Sequence, residues 1–357
     1  MKRKILFFSK VIVFIVVLLL VLSKLSLILS VYGYGGERQD PDRVTTLFYE
    51  LPKDSVDVLF LGDSHSYCTY INQDIFDEIG VSSASLATSA CSTTNMYWQL
   101  IEALKTQNIK ILIMETDPFE SSFDNGLKEY RLGLTSGISM IPDTSINKYY
   151  NYKDIKQNGI GRAKTLTVFD VYQLFEYKED FYRRYGTGIK EILNLLVYPA
   201  KEFRTFGYYQ TNDVHEIEEI NTYKDNQTYL DFTKTVDYQY FIKIYDLCRE
   251  KGIELILSRA MFESKDDLHC VNEQIDKWAK DNEVPVIDYF KLIDECGFDL
   301  SKDFRDEGHF NYYGAKKATA YLIDYLKSNY ELENHKGDSK YALWEDNDFD
   351  YSKERYD

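Results

Sequence analysis

Short, unbroken apolar runs alternate with segments of helical periodicity along this chain of 357 residues. Apolar runs of about four to six residues between turn signals are typical of strands that are buried on both faces. We predict such strands at Val56–Leu61, Ser83–Ala87, Ile109–Met114, Ile253–Leu257 and Val284–Asp288. Strands that alternate with helices form an α/β domain around a parallel sheet, and this is the fold class that the sequence predicts.

Apolar residues three and four positions apart predict the helices of this domain. The last helix runs from Gly314 to about Ser328 and places Ala318, Leu322 and Leu326 on one stripe. Further helices are predicted over Met96–Lys105, Tyr238–Glu250 and Val271–Asp281.

The N-terminus combines a basic start with an apolar segment. Lys2, Arg3 and Lys4 precede Ile5–Val31, which approaches the length of about 20 residues that a bilayer requires. We predict an uncleaved transmembrane signal-anchor in residues 1–34, with its basic end in the cytoplasm and the rest of the chain outside. A cleaved signal peptide is the alternative, although no clear Ala-x-Ala site follows the segment.

Composition divides the remaining chain into further segments. Residues 35–43 are predicted to form a stalk, and residues 44–330 the main domain. Within that domain, residues 120–235 are rich in Tyr, Lys and Asp, with one convincing helical pattern near Lys190–Val197, and indicate an insertion or cap. Residues 331–357 are acidic and indicate a solvated tail, with Tyr341 and Trp344 as side chains able to dock on the domain.

Charge and cysteine usage exclude several functions. The formal net charge of −16 and the absence of a polybasic groove argue against nucleic-acid binding. The five cysteines are scattered, and no His or Cys pattern has metal-ligand spacing, so neither a metal nor a cofactor is expected.

Two polar blocks at opposite ends of the domain carry the predicted chemistry. Gly62-Asp63-Ser64 follows the first strand, and Asp306-Glu307-Gly308-His309 precedes the last helix. A serine hydroxyl needs a base to remove its proton, and the base needs an acid to orient it. We predict that Ser64 is the nucleophile, His309 the base and Asp306 the orienting acid.

Alternatives exist for residues in and near these blocks. Ser64 could serve only as a helix N-cap, and Asp303 is a second carboxylate near His309. His65 either contacts substrate or has a packing or hydrogen-bonding role at the turn. The other three histidines are predicted to lie at the surface, namely His215, His269 and His335. Two Tyr-rich stretches either stack sugars or pack within the cap, namely Tyr149–Tyr152 and Gly207–Tyr209.

The two blocks resemble those of the SGNH (GDSL-like) hydrolases, whose first block reads Gly-Asp-Ser and whose last reads Asp-x-x-His, often followed by x-Asn and a Gly-Ala pair that opens a helix. Gly62–Ser64 and Asp306–Ala315 match both blocks. The resemblance covers about Val44–Tyr330 and is similar in layout to membrane-anchored members, such as the D-alanyl-transfer protein of teichoic acid modification and the alginate O-acetylation proteins. It implies a flavodoxin-like, three-layer α/β domain.

The resemblance also implies an oxyanion hole, and here the chain departs from the family pattern. The backbone N–H groups of Ser64 and Ala90 would serve as donors, with Ala90 standing where the family has Gly. The third block normally offers an Asn side chain, but this chain has Glu115-Thr116-Asp117. Only Thr116 can donate there when both acids are ionised, and an ionised acid would repel the oxyanion. One missing donor costs about a hundredfold or more in rate.

The resemblance and the anchor together imply a serine esterase or O-acyltransferase, with acyl esters of cell-surface polysaccharide as substrate and acetyl as the expected group. The implied partners are a cell-surface glycan, the membrane and a membrane acyltransferase. A soluble-ester esterase or lipase is one alternative. A non-catalytic envelope protein that binds glycan or recruits a membrane acyltransferase is another, and the missing Asn favours it.

Overall fold

The computed structural model describes residues 2–32, 45–120, 137–159, 161–171, 205–217, 220, 231–263, 269–347 and 350. A five-stranded sheet with the order β2-β1-β3-β4-β5 lies at the centre, and every pairing in it is parallel. This is the strand order of flavodoxin-like sheets. The strands are β1 (Val58–Leu61), β2 (Ser83–Ser85), β3 (Ile111–Glu115), β4 (Glu254–Arg259) and β5 (Val286–Asp288). The predicted α/β class with a parallel sheet is confirmed.

Helices follow the strands, and a small hairpin precedes the last long helix. The hairpin consists of β6 (Phe304–Asp306) and β7 (His309–Phe310), which pair antiparallel. The helices are α1 (Lys2–Tyr32), α2 (Ser64–Thr69), α3 (Asn72–Ile79), α4 (Thr93–Ala103), α5 (Ile146–Asn158), α6 (Val236–Lys251), α7 (His269–Asp281), α8 (Ile293–Cys296), α9 (Tyr312–Asn329) and α10 (Ala342–Glu345). Four of the five helices predicted in the main domain correspond to α4, α6, α7 and α9.

The sheet separates two apolar cores because successive side chains of a strand point to opposite faces. Leu59 and Leu61 of β1 pack in one core with side chains of α4, α6 and α7. Val58 and Phe60 pack in the other core with side chains of α9. Both faces of β1 are therefore covered, which explains its continuous apolar run.

Part of the predicted insertion is described. The helix α5 packs beside α4, where the Trp98 indole donates to Asp154 at 2.9 Å. Near β2, the Ser85 N–H donates to the Phe206 carbonyl at 2.8 Å, so this part of the insertion lies along the sheet edge. The helix predicted near Lys190–Val197 lies outside the described residues.

The segment that follows α9 packs on the domain. Trp344 is fully buried, stacks on Phe206 with ring centroids 4.6 Å apart, and donates to the Ser83 carbonyl at 3.2 Å. The predicted docking of Trp344 and of Tyr341, which is also buried, is therefore observed. The surface prediction for His335 is wrong, because its Nε2 contacts the buried Asp57 carboxylate at 2.6 Å.

Helix α1 contains the apolar segment predicted from the sequence. The stretch Arg3–Leu22 is long and apolar enough to cross a membrane, and none of it is buried against the described chain. Both the signal-anchor and the signal-peptide interpretations require such a segment.

Candidate active site

The turn after β1 presents Ser64 at the carboxyl edge of the sheet. A Cβ at Gly62 would lie 2.5 Å from the Glu115 Cβ and 2.6 Å from the Ser66 Cβ, so only glycine fits between β3 and the start of α2. Asp63 is the N-cap of α2, since its Oδ1 accepts the His65 N–H at 3.0 Å. Ser64 is the first residue of the helix and not its cap, which leaves its hydroxyl for other contacts.

The β6–β7 hairpin brings Asp306 and His309 together. These two residues pair across the turn, and His309 Nδ1 lies 2.7 Å from Asp306 Oδ1. The same oxygen accepts the Gly308 N–H at 2.8 Å, and Arg305 Nε donates to Oδ2 at 2.8 Å. The carboxylate is thus held by three donors, which orients it toward the imidazole.

Asn311 and Gly314 fix this hairpin to α9. The Asn311 side chain accepts the N–H groups of Tyr313 and Gly314 as the helix N-cap, and it donates to the Phe304 carbonyl at 3.2 Å. A Cβ at Gly314 would come within 2.3 Å of the Asp303 carbonyl oxygen. The spacing of Asn and Gly after the histidine therefore has a packing cause in this fold.

The last contact joins the two ends of the domain. His309 Nε2 lies 2.7 Å from Ser64 Oγ, so Ser64, His309 and Asp306 form one hydrogen-bonded chain. Asp303 does not take part, because it is buried and pairs with Lys317 Nζ at 2.6 Å. Of the two carboxylates that the sequence offers as the acid that orients His309, Asp306 is the one that contacts it.

Electrostatics favour a neutral His309 between Ser64 and Asp306. Burial lowers the pKa of His309 below its ordinary value, even though the hydrogen bond that His309 donates to Asp306 acts to raise it. Burial acts to raise the pKa of Asp306, but the hydrogen bonds from His309 and Arg305 outweigh it and hold that pKa low. A neutral imidazole that donates Nδ1–H to Asp306 presents Nε2 as an acceptor to the Ser64 hydroxyl.

The backbone donors predicted for the oxyanion have no partner in the described part of the chain: neither the Ser64 nor the Ala90 N–H donates to another described residue. Ala90 is exposed and has φ of 48°, in the left-handed region that favours glycine. Glycine would adopt this conformation without the strain that alanine bears.

No hydrogen bond joins Thr116 to the triad in the described part of the chain. Its side chain is fully buried, and its hydroxyl has no hydrogen-bond partner among the described residues. Its N–H donates to the Ser258 carbonyl at 2.9 Å. The expected side-chain donor is therefore present in sequence, but it forms no hydrogen bond to Ser64 or His309.

The two acids beside Thr116 differ in charge. Burial, and then the nearby Asp63, raise the pKa of Glu115 to about 8, which favours the neutral acid at neutral pH although the Ala260 N–H acts to lower that pKa. The repulsion expected from an ionised Glu115 therefore applies only at higher pH. Burial also acts to raise the pKa of Asp117, but the charge and hydrogen bond of His65 outweigh it and lower that pKa to about 2.

Among the described residues, two groups of side chains have ligand-type atoms within 4.8 Å of one another, namely Asp63, His65 and Asp117, and His215, Glu263 and Glu307. In the first group, His65 Nδ1 lies 3.3 Å from carboxylate oxygens of both Asp63 and Asp117. A proton on Nδ1 accounts for these contacts, and we assign no metal ligand among these residues.

A wall beside the triad was not predicted as a unit from the sequence. The Arg305 guanidinium lies 4.8 Å over the Tyr209 ring, and the Tyr209 ring lies 6.1 Å from that of Tyr67. The Tyr67 hydroxyl is 3.0 Å from Ser89 Oγ, next to Ala90. The Tyr-rich stretch at Gly207–Tyr209 was the only sequence signal for this wall, and the structure places Tyr209 next to the candidate site.

Comparison of the sequence with protein-family models and with curated proteins found no match. The family resemblance thus rests on the residues of this chain, and the predicted activity stays a prediction.

Proposed function

We propose that this protein is a membrane-anchored serine esterase or O-acyltransferase of the SGNH kind, which acts on acyl esters, acetyl above all, of cell-surface polysaccharide. The observation that carries the proposal is the unbroken chain from Asp306 through His309 to Ser64, with 2.7 Å at each of the two links. Hydroxyl, imidazole and carboxylate in this order are the parts of a nucleophilic triad.

The proposed reaction begins with attack of Ser64 Oγ on the ester carbonyl while His309 Nε2 accepts the hydroxyl proton. The N–H groups of Ser64 and Ala90 stabilise the resulting oxyanion. Imidazolium then protonates the leaving sugar oxygen, and an acyl-serine remains. Water or a sugar hydroxyl attacks this ester, gives its proton to His309 and releases Ser64.

The proposed location follows from α1. Three basic residues precede the apolar stretch, and the positive-inside rule orients such a segment with its basic end in the cytoplasm. The triad then faces the cell exterior, where polysaccharide esters are available. Tyr209, which is partly exposed and has the buried Tyr67 ring at its edge, offers aromatic surface of the type that packs against sugar rings.

A second candidate function is a non-catalytic envelope protein that binds glycan or recruits a membrane acyltransferase. The specific observation in its favour is the end of β3, where Thr116 is buried and an acid stands on each side of it. A hole with two backbone donors and no side-chain donor would support slower chemistry than a complete one.

Fluorophosphonate labelling of the full chain in detergent micelles tests the proposal. We expect covalent labelling of the protein that is lost in Ser64→Ala and kept in Ser328→Ala, an exposed serine on α9. Labelling that persists in Ser64→Ala, or no labelling of the unaltered protein, contradicts the nucleophile assignment and leaves the non-catalytic candidate.

Hydrolysis and transfer are separated by product analysis. A protein sample that has not been treated with fluorophosphonate is incubated with an acetylated glycan, with and without a deacetylated acceptor glycan. Free acetate in both mixtures indicates an esterase, whereas acetate that is replaced by newly acetylated acceptor indicates a transferase.

A further inference from the structure

A second histidine lies against the proposed catalytic histidine. His65 follows Ser64 in the first turn of α2, and its side chain is only 14% exposed. Its ring stacks on the His309 ring, with centroids 5.1 Å apart and planes at 27°. On another side the Phe262 ring packs at 5.1 Å. These contacts hold the His65 ring in a fixed place beside the base.

Carboxylates from two neighbouring strands converge on His65. Asp63 follows β1 and Asp117 follows β3, and each places an oxygen 3.3 Å from the same ring nitrogen, Nδ1. A carboxylate only accepts hydrogen bonds, so two carboxylates around one ring nitrogen require that this nitrogen carry a proton. Burial raises the pKa of Asp63 to about 6, whereas that of Asp117 is lowered to about 2, so Asp117 is the neighbour that stays negative in acidic media and favours the charged imidazole there.

We propose that His65 is a positioning residue with a lasting positive charge, held by Asp63 and Asp117, and that this charge keeps the stacked His309 ring neutral so that Ser64 retains its base in acidic surroundings. The inference rests on the proposed function for its catalytic meaning. The charge relation between the two rings is a property of the fold and is measurable without any activity.

The charged groups around His65 support this assignment. Burial alone would lower the pKa of His65, but Asp117 and Asp63 raise it well above its ordinary value. Among the opposing effects on His309, the His65 charge acts with burial to lower the pKa. Glu115 on β3 is the other acid near this cluster, and its raised pKa of about 8 leaves it neutral in acidic media.

The remaining elements packed on α2 add little charge. From α9, the uncharged Thr319 donates its hydroxyl to the Thr69 carbonyl at 3.4 Å, at the far end of α2 from His65. On the hairpin, Arg305 is paired with Asp306 at 2.8 Å, so their charges largely cancel at His65. Within α2, burial raises the pKa of Cys68 to about 12, which keeps this thiol neutral.

Histidine NMR titration of the unaltered full chain in detergent micelles tests the charge directly. The chain has five histidines, so ring signals of a ¹³C-histidine-labelled sample are assignable with single His→Gln variants. We expect His65 to stay protonated across the range in which ordinary histidines lose their proton, about pH 5 to 8, and His309 to titrate below about 6.5. A His65 that titrates near 6.5 overturns the proposal.

The variant His65→Gln tests the effect on His309. The Gln amide still donates to the carboxylates but carries no charge, so the midpoint of the His309 titration should move upward by about one pH unit, as Coulomb's law gives for charges about 5 Å apart at an intermediate dielectric. A purely structural role for His65 predicts an unchanged midpoint in the folded variant. His215→Gln serves as the control and should leave the midpoint unchanged, because the hydrogen bonds and the ring stacking of His309 involve Asp306, Ser64 and His65 but not His215.

Labelling rates separate this inference from the proposed function. The rate of fluorophosphonate labelling should fall as His309 becomes protonated at low pH. In His65→Gln, the pH at which this fall occurs should rise by the same amount as the NMR midpoint. An unreactive Ser64 would contradict the proposed function and leave the NMR result standing. A shifted NMR midpoint with an unshifted labelling profile would contradict the role of His65 in serving Ser64.

Discussion

At the scale of single residues, the end of β3 carries two acids with opposite behaviour. Glu115 is enclosed and lies near Asp63, so its proton is retained, whereas Asp117 faces the His65 ring and loses its proton readily. Closeness in sequence therefore does not give Glu115 and Asp117 the same protonation state. The partners that decide it come from β1 and the turn after it.

The raised pKa of Glu115 predicts a pH dependence of stability. An acid whose pKa is higher in the folded state contributes stability that is fully present below its unfolded pKa, about 4.3, and is lost as pH rises through about 8. Glu115→Gln cannot ionise, so its free energy of unfolding should fall less than that of the unaltered protein between about pH 5 and about pH 8. Urea unfolding at both pH values measures this difference.

The control for this prediction is Glu273→Gln, which changes an exposed acid on α7. The control should show the same fall with pH as the unaltered protein. If Glu115→Gln also shows that fall, the side chain is ionised in the folded protein at lower pH than its surroundings indicate.

Substitution of the two carboxylates near His309 should affect different properties, activity for Asp306 and stability for Asp303. Asp306→Asn removes the acceptor that orients Nδ1–H and should lower kcat/KM for p-nitrophenyl acetate by about a thousandfold or more. Asp303→Asn breaks the pair with Lys317 and should cost about 1–3 kcal/mol of stability with little effect on kcat/KM. Thermal unfolding and steady-state kinetics of both variants measure the two effects, and an activity loss confined to Asp303→Asn would reverse the assignment.

At the scale of elements, the parts that depend on local pattern were predictable. The strands β1, β3 and β4 are apolar runs that need burial on both faces, and α9 has a clear apolar stripe. The helices α2 and α3 were not predicted, because they are short and their burial comes from distant neighbours such as Thr319, which bonds to the N–H of Ile71.

The residues of the candidate site also divide into those that the sequence predicts and those that it does not. The triad was predictable because its residue types and order are informative by themselves. The role of His65 was not, because Asp117 lies on another strand and the stacked His309 is hundreds of residues away in sequence. Contacts of this kind depend on the sheet order and on the hairpin turn, which no short sequence window contains.

The loop that carries Ala90 predicts a specific response to glycine. Its φ of 48° is strained for alanine, so Ala90→Gly should keep fluorophosphonate labelling and leave stability equal or raise it by up to about 1 kcal/mol. In α9, Ala320→Gly should instead lower stability by about 1 kcal/mol, because glycine is unfavourable within a helix. Urea unfolding of both variants checks the contrast, and a loss in Ala90→Gly as large as that in Ala320→Gly would contradict it.

At the scale of the whole molecule, the segment after α9 belongs to the folded body. Phe76, Phe206 and Tyr341 surround Trp344, which therefore joins α3, the insertion and the C-terminal segment. An acidic composition alone indicated a solvated tail, but a few aromatic side chains outweigh it. One large buried ring contributes more to stability than several solvated charges.

This packing predicts a large difference between neighbouring substitutions. Trp344→Ala should lower the free energy of unfolding by about 3–5 kcal/mol, because it leaves a cavity between three elements and removes the bond to Ser83. Leu343→Ala, at a side chain that is 53% exposed, should change it by no more than about 0.5 kcal/mol. Equal losses in thermal or urea unfolding would show that Trp344 is not an anchor.

The position of Trp344 in the sequence also has a consequence for the protein during its synthesis on the ribosome. Ser83 lies on β2, at the edge of the sheet, so a cover of this edge is supplied by residues that are synthesised more than 250 positions later. An uncovered edge strand invites pairing with other chains. Phe206 covers the Ser85 end of this strand earlier in synthesis, but the Ser83 carbonyl gains its Trp344 partner only after that residue has been added, so we expect a chain truncated before Trp344 to aggregate more readily than the whole protein.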